Sequence, residues 1–338
     1  MENNNKINHV PVLFDEIMKI ITPDMKTFFD GTFGYWWHTI WIIKKISTWH
    51  IDNIFWPNDI YSDIENKNFL TSPEIFKRFA TDMDSEVYNI WLNNVNNYLS
   101  DNNLTQLQIS QNISDLKNIN IYNTWYHQLI DPEYTCKLPK FDFILLDLGA
   151  NMHHFKKWDR WFSIKLDWEL DMRYNTRTKL TAKTLINDRR VEKIAELLVM
   201  YGDFTPWMAT KIWNTIYTHR KNKTINTTLE FSAVLLEAWL NNTRIAVVFQ
   251  CIRIAVNDEF GNITKFLDNL ELFSHQNTVV AVITFHSLED KLTKYKLAQY
   301  TDAGTRETVN KHVIKPAFVE IKKNPASASA KLRIIKKK

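Results

Sequence analysis

The residues best suited to chemistry are a loop and two acids. The loop is Asp30-Gly31-Thr32-Phe33-Gly34-Tyr35-Trp36-Trp37-His38, directly after the short apolar run Thr27 to Phe29. An acid that closes a strand and leads into a glycine-containing loop is how α/β domains present backbone N–H groups to a ligand. Residues without a Cβ let the chain turn with positive φ and approach that ligand closely. Asp63 closes a second strand-like run, Ile60-Tyr61-Ser62, and is placed to accept both hydroxyls of a ribose. Asp147 closes Phe141 to Leu146 and is placed beside a reacting group. In this order the three features indicate a nucleoside-containing cofactor. Even with both indole positions read as glycine, the loop lacks the compact G-x-G-x-x-G spacing of a dinucleotide site. His286-Ser287-Leu288-Glu289-Asp290 follows the apolar run Thr278 to Phe285, again at a strand end where ligand groups collect in open sheets. For His286 a hydrogen-bonded structural role and a part in proton removal both stand.

Trp36 and Trp37 are the anomaly in this loop, because an indole cannot do what a glycine does there. The chain has 6 Gly and 13 Trp, whereas usage near ~7% Gly predicts about 24 glycines; the two counts together come close to a normal glycine content. Trp36, Trp37, Trp49, Trp56, Trp158, Trp161 and Trp168 lie in polar, turn-like surroundings, although a real Trp buries a large area. One reading is that many of these are UGA codons which the source organism translates as glycine; the abundance of Asn, Ile and Lys fits an AT-rich genome. The other is a tryptophan-rich, degenerate paralogue.

The elements that would position these residues alternate as in a doubly wound α/β domain. Val10 to Ile21 has helical spacing and stops at Thr22-Pro23; Thr27 to Phe29 is a first strand; Thr39 to Ile46 resumes helical spacing. Residues 81–110 are Asn-rich and read as a surface insertion. Phe141 to Leu148 is the strongest strand, its near-continuous apolar run suited to burial on both faces of a parallel sheet. From 152 to 243 the pattern is polar loop and then helices, at Val191 to Tyr201, Pro206 to His219 and Thr228 to Ala238, with no convincing strand. The expected organisation is therefore residues 1–151 as the first part of a sheet domain, 152–243 as an inserted helical domain, and 244–338 as the return to the sheet and a basic tail. The helix containing Phe249 to Phe260 makes that return.

Bulk properties exclude little. A hydrophobic content of 45% supports a packed core, and a net charge of +4 permits a nucleic-acid partner without requiring one. Cys136 and Cys251 have no metal spacing, so neither a zinc site nor a disulfide framework is expected. No apolar run approaches a membrane span and the opening residues carry no apolar leader core, so a cytoplasmic protein is expected. The basic cluster Lys331 to Lys338 is either a solvated tail or a nucleic-acid contact.

Several ordered blocks resemble one family, the bacterial small-subunit ribosomal RNA cytosine-N4 methyltransferases (the MraW family). His9-Val10-Pro11-Val12-Leu13 resembles its opening, Asp30 to Thr39 its D-G/A-T-F-G-x-G-G-H-[ST] loop, and Asp147-Leu148-Gly149 the start of D-L-G-V-S-S. Arg160-Trp161-Phe162-Ser163 and Leu170-Asp171-Met172-Arg173 resemble R-G-F-S and L-D-M-R. Phe249 to Glu259 resembles F-Q-A-[LI]-R-I-x-V-N-x-E, and Phe285 to Asp290 matches F-H-S-L-E-D. Asn324-Pro325 with Ser329 to Arg333 resembles the closing N-P-R-A-R-S-A-K-L-R, with Ala326 and Ala328 in place of two arginines. Trp36, Trp37, Trp161 and Trp168 each fall where the family pattern has glycine.

This resemblance implies a class I S-adenosylmethionine-dependent methyltransferase, a Rossmann-like α/β sheet with an inserted all-α domain. The reaction it implies is methyl transfer to the exocyclic N4 amine of a cytosine in the decoding region of 16S ribosomal RNA, with the small ribosomal subunit as partner and no metal. Implied cofactor contacts are Trp36, Trp37, His38, Asp63, Ile113, Asp147 and His154; Ile113 stands where the family has an aromatic residue and His154 where it has Gln. Either Asp147 or Asn151 would accept a hydrogen bond from the amine, localising its lone pair, and His286 would assist proton removal. Arg160, Arg173, Arg253 and Arg333 are candidate RNA contacts, against a salt-bridge role. Asn257 and Glu259 are helix-surface or site residues. The target base must leave its stack to be reached. Two other classes stay open: an inactive RNA-binding or ribosome-assembly paralogue, if Trp36 and Trp37 are genuine, and a nucleotide-dependent oxidoreductase, which gives no account of the Phe285 to Asp290 block. The sequence is silent on oligomeric state.

Overall fold

The strand expected to lie at the centre does so. In the computed structural model β4 spans Phe141–Asp147, with Phe143 to Leu146 fully buried. The structure describes residues 11–32, 38, 42, 77–81, 119–122, 126–136, 138–148, 167–174, 178–188 and 191–338. The chain divides into two compact units, one of residues 1–149 with 263–338 and one of residues 150–262.

The first unit is built on a sheet ordered β3-β2-β1-β4-β5-β7-β6. Its strands are β1 (Thr27–Asp30), β2 (Lys77–Thr81), β3 (Ile119–Tyr122), β4, β5 (Ser274–Thr284), β6 (Arg306–Thr308) and β7 (Lys331–Lys337). β3 through β5 are parallel, and β7 runs antiparallel to both β5 and β6. This is the Rossmann-like sheet the resemblance implied. The order reverses beside β1, so the carboxyl ends of β1 and β4 form the crevice where such sheets hold ligands. Asp30 pairs in register with Leu145, and Asp147 with Ile283, which brings both acids to that edge. Helix α1 (Phe14–Ile20) packs Ile17 into an apolar cluster with Phe28, Phe143, Leu145, Ala281 and Leu332.

The basic terminal cluster is neither a free tail nor solvated, and its apolar residues give the reason. Leu332, Ile334 and Ile335 are buried in β7. The intervening cations find carboxylates: Lys331 and Arg333 bond Asp290 at 2.9 and 2.7 Å, and Lys337 pairs with Glu271.

The second unit is helical in its described residues, with α2 (Ala182–Asp188), α3 (Val191–Gly202), α4 (Pro206–Asn222), α5 (Thr228–Glu237) and α6 (Asn242–Asn257). Each of the last three begins at a side-chain cap that satisfies an orphan N–H: Thr205 accepts from Met208, Thr227 from Glu230 and Asn241 from Arg244. Pro206 occupies the first helical position, where its missing N–H costs nothing. The unit extends further than residues 152–243. Ile245, Val248, Phe249, Ile252 and Val256 of α6 share one core with Ile194, Leu198, Ile212 and Phe231, so α6 belongs to the helices. Beyond residue 262 the chain rejoins the sheet unit, where Phe266 of α7 (Glu259–Asp268) stacks on Phe29 and Phe273.

Candidate active site at the carboxyl edge of the sheet

The first half of the site is the turn out of β1. Gly31 N–H donates to Leu145 O at 2.9 Å and so continues the β1–β4 ladder one residue past the strand. A Cβ there would lie 2.4 Å from Leu146 Cδ2, 3.1 Å from Phe29 Cε1 and 3.2 Å from Tyr126 Cβ; the position has no room for a side chain. Asp30 is buried, and its Oδ1 accepts the Thr32 N–H at 3.1 Å, a side-chain turn that bends the loop over the strand end. The Thr32 hydroxyl accepts the Asp147 N–H at 2.6 Å and donates towards Asp30 Oδ1 at 3.5 Å. One oxygen thus ties the loop after β1 to the last residue of β4.

His38 supplies the second half. Its Nε2 donates to Val12 O at 3.0 Å, so Nε2 carries the proton of the neutral ring. Burial lowers the His38 pKa below 6.5 against the opposing pull of Asp30, Val12 O and Glu320, which makes the neutral form the stable one. Nδ1 is then an acceptor, 3.6 Å from Asp147 Oδ2. Both atoms are acceptors, so a donor-rich cationic group seated beside the pair, within reach of each, would bond to both. The segment carrying Val12 is pinned from its other side. Leu13, in the left-handed region at φ 55, donates its N–H to Glu320 Oε1 at 2.8 Å, and burial raises the Glu320 pKa.

His286 lies at the end of β5 as expected, in the role of N-cap. Its Nδ1 accepts the Glu289 N–H at 3.4 Å, and its Nε2 is 2.8 Å from Glu289 Oε1. Glu289 Oε2 in turn accepts the N–H groups of Phe285 and His286 at 2.9 and 3.3 Å, completing a capping box at the start of α8 (Ser287–Asp302). The block Phe285 to Asp290 starts a helix on the sheet edge, and through Asp290 it anchors β7.

The described candidate arginines all have carboxylate partners. Arg173 grips Asp171 with Nε and Nη2, both at 2.7 Å, and Arg253 grips Glu259 at 2.9 and 3.2 Å. Arg333 pairs with Asp290. Asn257 is a tether: its Oδ1 accepts the Tyr174 N–H at 2.8 Å and its Nδ2 donates to Met172 O and Arg253 O at 2.8 and 2.9 Å. It thereby holds the Leu170 to Tyr174 turn, in which Met172 has φ 62. Trp36, Trp37, Asp63, Ile113, Asn151, His154 and Arg160 lie outside the described residues. Of the expected site residues, the structure brings His38 and Asp147 together. It adds a role for Thr32, which sequence reasoning gave only as part of the loop, and it adds Glu320, which sequence reasoning missed. The threonine carried one signal, its place two residues after a strand-ending Asp; Glu320 carried none.

Among the described residues no cluster of His, Cys, Asp and Glu could hold a metal ion, and no helix is long and apolar enough to cross a membrane.

The profile of the MraW methylase family matches residues 6–338. The chain is 30% identical to the "Ribosomal RNA small subunit methyltransferase H" of Brachyspira hyodysenteriae over 349 aligned positions that cover all of both chains. It is 34% identical to the protein of that name from Coprothermobacter proteolyticus over 232 residues, 68% of this chain and 77% of that one. The Wolbachia protein of the same name is 28% identical over 340 residues, 98% and 99% of the two chains.

Proposed function

The chain belongs to the MraW methylase family, and on that premise we propose that it is a small-subunit ribosomal RNA methyltransferase that moves a methyl group from S-adenosylmethionine to the N4 amine of a cytosine in the decoding region of 16S RNA. The observation that carries this reading is the pairing of Asp147 with neutral His38 at the switch point between β1 and β4. When bound there, S-adenosylmethionine supplies a methyl group already activated on a sulfonium, so the protein needs neither metal nor covalent nucleophile. Its amino acid ammonium is the kind of donor that His38 Nδ1 and the Asp147 carboxylate are set to receive.

The chain's own contribution is orientation and electrostatics. Thr32 fixes the Asp147 backbone, and the Val12–Leu13 segment fixes the His38 ring. A cytosine N4 amine is a weak nucleophile because its lone pair is delocalised into the ring. A hydrogen-bond acceptor on that amine localises the pair as the N–C bond forms and the C–S bond breaks, and the amine proton leaves by the same route. Asp147 or Asn151 takes that role in our reading. We assign His286 to holding the Phe285 to Asp290 turn, and Arg173, Arg253 and Arg333 to structural ion pairs. Arg160 remains the candidate for an RNA phosphate. Localisation to the cytoplasm with the ribosome accords with this substrate.

The test uses radiolabelled S-adenosylmethionine and small ribosomal subunits from a strain lacking its own cytosine-N4 methylation. The enzyme is the full chain carrying Trp36→Gly, Trp37→Gly, Trp161→Gly and Trp168→Gly. Label recovered as N4-methylcytidine in 16S RNA, and lost in the Asp147→Ala variant, is the expected result. Label on another base, or none from a folded preparation, refutes the proposal.

A further inference from the structure

Helix α5 ends in a way that specifies its next residues. The N–H of Trp239 donates to Leu236 O at 2.9 Å, and that of Leu240 to Leu235 O at 3.4 Å. This pair of bonds satisfies the last carbonyls of a helix only if the first residue beyond the cap is left-handed, and Trp239 has φ 70. Glycine is the usual residue there because it has no Cβ to meet the carbonyl; for a bulky side chain such a φ is an outlier. The Trp239 side chain buries little in compensation. The residue is 83% exposed, and its ring contact is a surface cation–π approach of the Lys211 ammonium at 4.0 Å, which is weak where water competes.

Two of the other described tryptophans also sit in surroundings that suit the residue poorly. Trp207, the second residue of α4, is 72% exposed. Trp168 has its indole Nε1 enclosed with no acceptor, although a buried indole N–H usually has a partner. Trp213 shares that unsatisfied Nε1 but fills the centre of the helical core, so its ring has a packing role.

We infer that residue 239 is glycine in the protein as its own cell makes it, the tryptophan being a UGA codon translated with a table that cell does not use. The same reassignment accounts for Trp36, Trp37, Trp161 and Trp168, where the family pattern has glycine. The argument at 239 is made from backbone geometry in the helical unit and does not rest on the methyltransferase reading. Its consequence reaches that reading all the same, because residues without a Cβ at 36 and 37 would put no side chain in the way of a cofactor.

The deciding experiment reads the gene's codon at 239 and the mass of the tryptic peptide Thr224–Arg244 from the protein purified from its organism of origin. A UGA codon with a glycine mass is expected. A UGG codon, or a tryptophan mass in that peptide, overturns the inference. A second measurement keeps the geometric argument open to refutation in recombinant full-length chain. Trp239→Gly raises the urea midpoint of unfolding above that of both the parent and Trp239→Ala, because only glycine relieves the left-handed strain. A midpoint for the glycine variant at or below that of the alanine variant overturns the assignment. Neither measurement depends on methyl transfer, so failure of the activity assay leaves this inference to be judged on its own data.

Discussion

Replacing Thr32 with valine keeps the branched shape of the side chain and removes the oxygen that accepts the Asp147 N–H at 2.6 Å. The N–H is then left at a part-buried strand end without its partner. An unsatisfied buried donor costs roughly 1–3 kcal/mol. The bond is only part-buried, so water recovers some of this, and about 1–2 kcal/mol is the expected loss. With a urea slope on the order of 2 kcal/mol per molar, the midpoint falls by roughly 0.5–1 M. The second consequence is functional: with its backbone released, Asp147 no longer faces His38 Nδ1 in a fixed position. S-adenosylmethionine binding, followed by calorimetry on the chain carrying Trp36→Gly and Trp37→Gly, should weaken by about three- to tenfold, tenfold being ~1.4 kcal/mol. Thr32→Ser retains the oxygen and should stay near the parent in both assays. A valine variant with parental midpoint and affinity refutes the argument, and so does a serine variant that loses as much as valine.

Asp290→Asn should loosen the β7 edge, since it removes the carboxylate charge that Arg333 and Lys331 share. Burial alone would raise the Asp290 pKa, but bonds from these two cations outweigh it and hold the carboxyl below 3.8. A depressed carboxylate contributes stability that is present above its unfolded value and lost as pH falls through its folded value. Urea midpoints measured from neutral pH to below about 3 should therefore show a shallower acid decline in the variant than in the parent, and equal declines would refute the pairing. His38 acts at milder acidity. Its folded pKa lies below 6.5, so between that folded value and 6.5 the unfolded chain binds more protons and stability drops as pH falls. His38→Gln keeps a donor for Val12 O but cannot titrate, and should flatten this slope; an unchanged slope assigns it to other groups.

How much of this protein was legible in its sequence follows from what each feature depends on. The unbroken apolar run of β4 and the helical spacing of α3, α4 and α5 are local, and a chain read by itself gives them. The ordered blocks likewise gave the family. Contacts between distant segments were a different matter. Thr32 meets Asp147 across 115 positions, and Leu13 meets Glu320 across 307; no spacing rule encodes such a partner. Parallel strands joined by long crossovers set these pairs, through a register fixed by the whole sheet. For the same reason Lys331 to Lys337 read as a charged tail. Its three buried apolar residues mark a strand only once β5 and Asp290 stand beside it. α6 has an apolar face that the sequence displays, but which core it enters is decided by the helices already there. Trp239 lies between these cases. Composition made its residue type suspect, but only the folded helix end, through its φ of 70, gave a physical reason for glycine at that position.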